Sequence, residues 1–130
     1  MKSLKAPGFK QFPNYEVKLE HMDETVEVFM DGDLVAESRN AICLLESGLE
    51  PVIYIPKNDL KNIDLLKTKK EYYCPFKGQA AHFTVVHHDK LFENVVWAYD
   101  DPFEEVQDLM GHVAFYPDRI DSLIVIPNAN

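Results

Sequence analysis

The sequence predicts a mainly β domain of about eight short antiparallel strands and one short helix. Three observations carry that reading. Apolar residues recur at every second position in one segment after another, the period of a half-buried strand. Turn-forming pairs, Asp31-Gly32 above all, stand between such segments. A single stretch carries both a helix start and a helix stop.

Residues 1–14 contain Pro7, Gly8 and Pro13 and show no period, so they form an irregular arm ahead of one β-rich domain at 15–130. Residues 15–20 set Tyr15, Val17 and Leu19 against Glu16, Lys18 and Glu20. Residues 25–30 repeat the pattern, Asp31-Gly32 turns because Gly tolerates positive φ, and 34–37 return as the partner strand. Residues 52–55 are a short apolar run closed by Pro56. Residues 57–70 are polar and broken, with a helical turn at Asn58-Asp59 as the one element suggested. Residues 71–74 are extended, since Pro75 biases its predecessor away from helix. Residues 81–87 alternate, Asp89-Lys90 turns, and 95–99 follow as a strand.

The helix is expected over 102–110. Asp101 is placed to cap it, Pro102 takes the first helical position and Glu104 the capping-box position. Phe103, Val106 and Leu109 or Met110 form its apolar stripe, and Gly111 ends it. Strands at 113–116 and 123–126 complete the chain. A sandwich, a barrel or two crossed antiparallel sheets all satisfy this pattern.

Composition narrows the function. A chain of 130 residues fits one domain with a real core. Its 13 basic and 22 acidic side chains leave a net charge of −9, which repels phosphate backbones and argues against nucleic acid as a partner. The run Lys67, Lys69 and Lys70 reads as a solvated loop. No apolar run approaches the ~20 residues of a membrane span, and no signal peptide is visible behind Met1-Lys2-Ser3-Leu4-Lys5. Two cysteines, Cys43 and Cys74, without a Cys-x-x-Cys, fit a cytoplasmic protein with free thiols.

Five strings taken together carry a resemblance. They are Leu34-Val35-Ala36-Glu37-Ser38-Arg39, Tyr54-Ile55-Pro56, Cys74-Pro75-Phe76-Lys77-Gly78, Trp97-Ala98-Tyr99 and Gly111-His112-Val113-Ala114-Phe115-Tyr116. In this order and spacing the chain resembles the domain-of-unknown-function 427 family, which some classifications label a nucleotidyltransferase-type family. The resemblance covers roughly residues 25–120. It implies a β-tent-like fold, two antiparallel sheets meeting at an angle with a ligand-accepting cleft. Other members of that fold group hold zinc on paired Cys-x-x-Cys knuckles. This chain lacks them, so the metal does not carry over.

The candidate site residues fall in those strings. Cys74 beside Lys77 is a possible nucleophile if a base such as His82 or His112 reaches it, and a buried structural thiol otherwise. Gly78 would let the backbone approach a ligand. Trp97 and Tyr99 share one strand face and, with Tyr54 and Tyr116, could line an aromatic pocket; core packing is the plainer alternative. Phe76 and Phe115 read as core. Arg39 and Lys77 would make an anion clamp if the fold joins them, whereas an ion pair of Arg39 with Glu46 or Asp118 is the structural alternative. The histidines do not read as a metal site, because neighbours His87 and His88 on a strand face opposite sides and His82 and His88 lie about 20 Å apart.

Asp31-Gly32-Asp33 offers an Asp-x-Asp for metal-dependent nucleotidyl transfer, but it sits in a turn, and no Gly-rich phosphate loop accompanies it. No cofactor is expected. The leading expectation is a domain that binds a small anionic or carbonyl-bearing ligand through Arg39, Tyr54, Lys77, Trp97, Tyr99 and Tyr116. An enzyme using Cys74 or scattered aspartates is the second, and a protein-interaction module the third. Exposed strand edges leave self-association open.

Overall fold

The computed structural model describes residues 4–128. Among them run ten strands in two antiparallel sheets. Their ranges are β1 (Val17–His21), β2 (Thr25–Met30), β3 (Asp33–Ser38), β4 (Ile42–Glu46) and β5 (Val52–Pro56). The second half supplies β6 (Asp64–Cys74), β7 (Gly78–His87), β8 (Lys90–Tyr99), β9 (His112–Phe115) and β10 (Ser122–Ile126). The larger sheet has seven strands in the order β1-β4-β5-β9-β8-β7-β6, and the smaller has the order β10-β2-β3. Every neighbouring pair is antiparallel, and both sheets are open.

Period-two patterning explains how the layers stack. On β8, Val96 and Ala98 join the cluster that the small sheet covers through Val26, Val28, Met30 and Val35. Trp97 and Tyr99 point the other way, into a second cluster with Ile42, Leu44, Tyr54, Phe76, Val106 and Leu109. β9 divides likewise, Val113 and Phe115 to the first cluster and Ala114 to the second. The centre of the large sheet is thus buried on both faces, while its edge strands β1 and β6 are largely exposed. Each fully buried Val, Leu or Ile contributes about 1.5–3 kcal/mol, so the two clusters supply most of what holds the layers together.

The turns follow the backbone freedom of their residues. Asp31 (φ 51) and Gly32 (φ 82) take positive φ at both central positions of the β2–β3 hairpin, as Asp-Gly leads one to expect. The β7–β8 turn lies one residue earlier than the sequence predicts, at His88 (φ 50) and Asp89 (φ 63), with Lys90 already in the strand. That shift overturns the expectation for the paired histidines. His88 is in the turn rather than on the strand, and its ring sits 4.0 Å from that of His87.

Three elements differ from expectation. β4 carries Ile42-Cys43-Leu44-Leu45, an unbroken apolar run of the same kind as β5, where no strand was expected. β6 extends through the charged stretch expected as a loop; it is a mostly exposed edge strand with a bulge between Lys67 and Glu71, and charged edges resist unwanted pairing. The expected helix at 102–110 is two 3₁₀ turns over Glu104–Leu109, broken at Val106 (φ −125). Asp101 does not cap it. Phe103 N–H donates to the Lys77 carbonyl and Glu104 N–H to that of Leu4, which holds Phe103 extended and moves the start downstream. Val106 and Leu109 are buried as the stripe required, Met110 is exposed, and Gly111 (φ 79) ends the turn.

The N-terminal arm contains one helical turn, α1 (Gly8–Gln11), pinned by Gly8 N–H to the Pro75 carbonyl at 3.0 Å. Gly8 is required there, since a Cβ would lie 2.7 Å from the Phe76 ring.

Candidate functional site

The tripeptide Pro75-Phe76-Lys77 joins β6 to β7, with Cys74 paired to Gly78 across the hairpin. Phe76, Gly78 and Lys77 do different work there. Phe76 is locked between Tyr15, stacked at 4.0 Å, and Phe9, edge-on at 5.0 Å. Gly78 (φ 123) brings the backbone close to the Asp101 carbonyl: a Cβ there would lie 3.3 Å from that oxygen. Lys77 turns inward. Its Nζ donates to Glu46 Oε1 at 2.5 Å, with side chains only 11% and 6% exposed.

Glu46 comes from the end of β4, a strand not expected from the sequence, and its other oxygen accepts from the Tyr15 hydroxyl at 2.5 Å. Burial, together with that bond, raises the Tyr15 phenol well above its usual range, so it stays a donor. The pair of Lys77 and Glu46 is neutral as a unit. This matters for the ligand, because a buried cation already matched by a carboxylate has little charge left for an anion.

Lys77 and Glu46 form one wall of a cavity of about 210 Å³. Tyr54, Trp97, Tyr99 and Tyr116 line it too, with His82, Leu44 and Ala80 between them. Strand alternation places them: Trp97 and Tyr99 are two apart on β8, Ala80 and His82 two apart on β7, and Tyr54 lies on β5 beyond β9. Trp97 Nε1–H donates to the Tyr54 hydroxyl at 3.1 Å, and its ring lies 4.4 Å from that of Tyr116.

His82 is fixed as to tautomer. Nδ1 faces the Lys70 carbonyl at 3.3 Å, which can only accept, so Nδ1 carries the proton. Nε2 then accepts from the Tyr116 hydroxyl at 2.9 Å. Burial lowers the His82 pKa and keeps the ring neutral. The Tyr54 and Tyr99 phenols are pushed far up, chiefly by burial, and remain protonated. Tyr54 accepts from Trp97 but keeps its own proton to give, and Tyr99 has no hydrogen-bond partner among the described residues. The cavity therefore offers phenol donors and a lysine ammonium beside aromatic faces, a setting for a ligand with acceptor oxygens.

Five of the six expected ligand-binding residues line this one cavity, and Arg39 is the exception. Arg39 lies past the end of β3 and reaches Asn128 at 3.5 Å; the clamp with Lys77 is not formed, and neither of its expected acidic partners holds it. Cys74 is buried in the second cluster. Neither candidate base serves it, since His82 bonds Tyr116 and Lys70 while His112 bonds the Met110 carbonyl. Glu46 is the residue that sequence reasoning placed elsewhere, as a partner of Arg39.

Four other hollows among the described residues are larger; two of them are open surface depressions, one beside Phe12 and one beside Arg39, and the remaining two are also poorer candidates. One, of about 330 Å³, is an open groove beside Lys67, whose ammonium spans to Asp100 at 3.7 Å. The other, of about 250 Å³, is lined by apolar residues such as Pro51, Ile53 and Leu123, with no ionisable side chain.

A family model described as a domain of unknown function, DUF427, matches residues 18–126. The chain belongs to the DUF427 family. No curated protein matches this DUF427 chain. Every cavity residue named above lies within the matched span. The family's nucleotidyltransferase-type label asks for carboxylates that hold magnesium beside a phosphate cradle. The DUF427 cavity has Glu46 as its one carboxylate, and both its oxygens are engaged. Asp31 and Asp33 are engaged by His87, His88 and Lys90, and Asp100 pairs with Lys57 and Lys67. No helix among the described residues is long and apolar enough to cross a membrane.

Proposed function

We propose that this DUF427 chain is a binding domain for a small, flat, carbonyl-bearing molecule seated among Tyr54, Trp97, Tyr99 and Tyr116. The convergence of these aromatics with the Lys77–Glu46 pair in one cavity carries the reading. The aromatic faces favour a planar ring, worth about 0.5–1.5 kcal/mol per good aromatic contact beyond burial. The Tyr99 hydroxyl and the remaining Lys77 protons suit a carbonyl or amide oxygen. Because Glu46 already balances Lys77, a neutral ligand is favoured over a fully charged anion. A volume of about 210 Å³ falls below the ~300 Å³ at which drug-sized sites begin, which points to a ligand of one ring.

A thermal-shift screen of single-ring carbonyl compounds, organic acids and nucleotides tests this. Binding at a hundredfold excess over Kd adds about 2.7 kcal/mol of stability. The reading expects hits among neutral lactams, imides or amides, lost in Trp97→Ala provided that variant keeps its fold. Hits confined to nucleotides with magnesium would replace binding with nucleotidyl transfer.

A further inference from the structure

We propose that Asp33, His87 and His88 form a binding site for a divalent transition-metal ion that clips the β2–β3 turn to the β7–β8 turn. The site is separate from the cavity. β7 begins beside Lys77 and ends at His87, and His82 and His87 are about 17 Å apart along the strand.

Convergence is the first support. His87 Nε2 lies 2.9 Å and His88 Nε2 2.7 Å from the same atom, Asp33 Oδ2, and the three donor atoms are all within 4.8 Å of one another. The left-handed backbone of His88 makes this possible by swinging its ring to the side of His87. Zinc at its usual ~2.0–2.1 Å from each atom of a tetrahedral set requires ligand separations of about 3.3 Å, so the two contacts to Asp33 would open by roughly half an ångström while the two imidazoles adjust within their 4.8 Å limit.

The protons of His87 give the second support. Its side chain is fully buried, and its two ring nitrogens both face carboxylate oxygens, Asp31 Oδ2 at 3.2 Å and Asp33 Oδ2 at 2.9 Å. A carboxylate only accepts, and a neutral imidazole has one N–H to give. Both contacts are satisfied either by a ring that carries two protons or, with one proton on Nδ1 toward Asp31, by a metal cation between Nε2 and Asp33. Asp31 would then orient the ring from behind, as carboxylates do for metal-bound histidines, and Lys90 holds Asp31 in turn at 3.3 Å. The outer side is open, since the His88 and Asp33 side chains are 66% and 44% exposed, leaving room for water to complete the coordination. Two imidazoles and one carboxylate suit cobalt, nickel, copper or zinc better than magnesium or calcium, which want oxygen shells.

The test is titration of tag-free, EDTA-stripped protein with cobalt(II), followed by its visible absorption, and with zinc, followed by Tm. We expect one ion per chain, a Tm rise of several degrees, and no competition from millimolar magnesium. His88→Ala, at an exposed side chain, and Asp33→Asn should each weaken binding at least tenfold, with His21→Ala as an unaffected control. Folding of each variant is checked by circular dichroism in EDTA. Absence of a cobalt spectrum would overturn the proposal, as would an affinity untouched by His88→Ala. So would a wild-type Tm that ignores zinc yet rises on mild acidification in a His87-dependent way, since the cation between His87 and Asp33 would then be a proton.

Discussion

Lys77 shows how one side chain can be half legible. Its place beside Cys74, Phe76 and Gly78 marked it as pointed at something, and it does face the cavity. Its partner was not legible, because a sequence shows 22 acidic side chains and no rule for which one β4 will carry inward. The pair sets a testable energy. Glu46→Gln leaves a buried ammonium without its counter-charge, and losing one member of a buried pair costs about 3–5 kcal/mol. Lys77→Met combined with Glu46→Gln should recover much of that loss, as measured by urea denaturation; additive losses would mean that the two groups do not interact.

His82 sets a pH window at the same scale. Its pKa is lowered in the folded protein, so the unfolded chain binds the extra proton more readily. Its contribution is whole above the unfolded value of about 6.5 and is lost as pH falls from there through the lower folded value. Protonation would also deny Tyr116 its acceptor. The fall in Tm between pH 7.5 and 5.5 should therefore be smaller in His82→Gln than in wild type. Asp31 and Asp33 act in a lower window. Bonds from Lys90 and from His88, respectively, lead the causes that depress their pKa values, so their contribution is present above about 3.8 and lost below it.

The elements that alternate were readable, and two strands that do not were missed. β2 and β3 declare themselves through alternation and Asp-Gly, and β7 and β8 through alternating residue types, even though β7 is buried on both faces. β6 hides because its edge position favours charge over pattern, whereas β4 is an apolar run like β5 and was legible on the same ground. The 102–110 segment had every local helix signal, yet tertiary hydrogen bonds from Phe103 and Glu104 overrode them. The arm offers a prediction at this scale. Gly→Ala in a helical turn ordinarily stabilises by up to ~1 kcal/mol. At Gly8 the new methyl meets a Phe76 ring that Phe9 and Tyr15 hold in place, so Gly8→Ala should instead destabilise by about 1–3 kcal/mol. Thermal denaturation decides the sign.

For the whole molecule, the larger sheet separates two tasks. One face, covered by the small sheet, is apolar packing with an apolar hollow at its margin; the other, covered by the arm and the 3₁₀ turns, leaves a polar-aromatic hollow between β4, β5, β7 and β8. Sequence could name most of the aromatics in that hollow, because Trp97 and Tyr99 share a face by period alone. It could not assemble them, since Tyr54 and Trp97 meet only through a sheet order in which β9 stands between β5 and β8. Arg39 shows the limit. A guanidinium after a strand has the right chemistry for an anion, but the smaller sheet carries it to a different surface.

The central claim is that this hollow binds ligand, and the chain contains a reporter for it. Trp97 is the single tryptophan, and its indole N–H bonds Tyr54 inside the cavity. The measurement is the indole ¹H–¹⁵N resonance during titration with single-ring carbonyl compounds. The account predicts that compounds which raise Tm also shift this one resonance saturably, and that Tyr99→Phe weakens them. Compounds that stabilise the protein while leaving the indole signal unmoved would place the binding site elsewhere and contradict it.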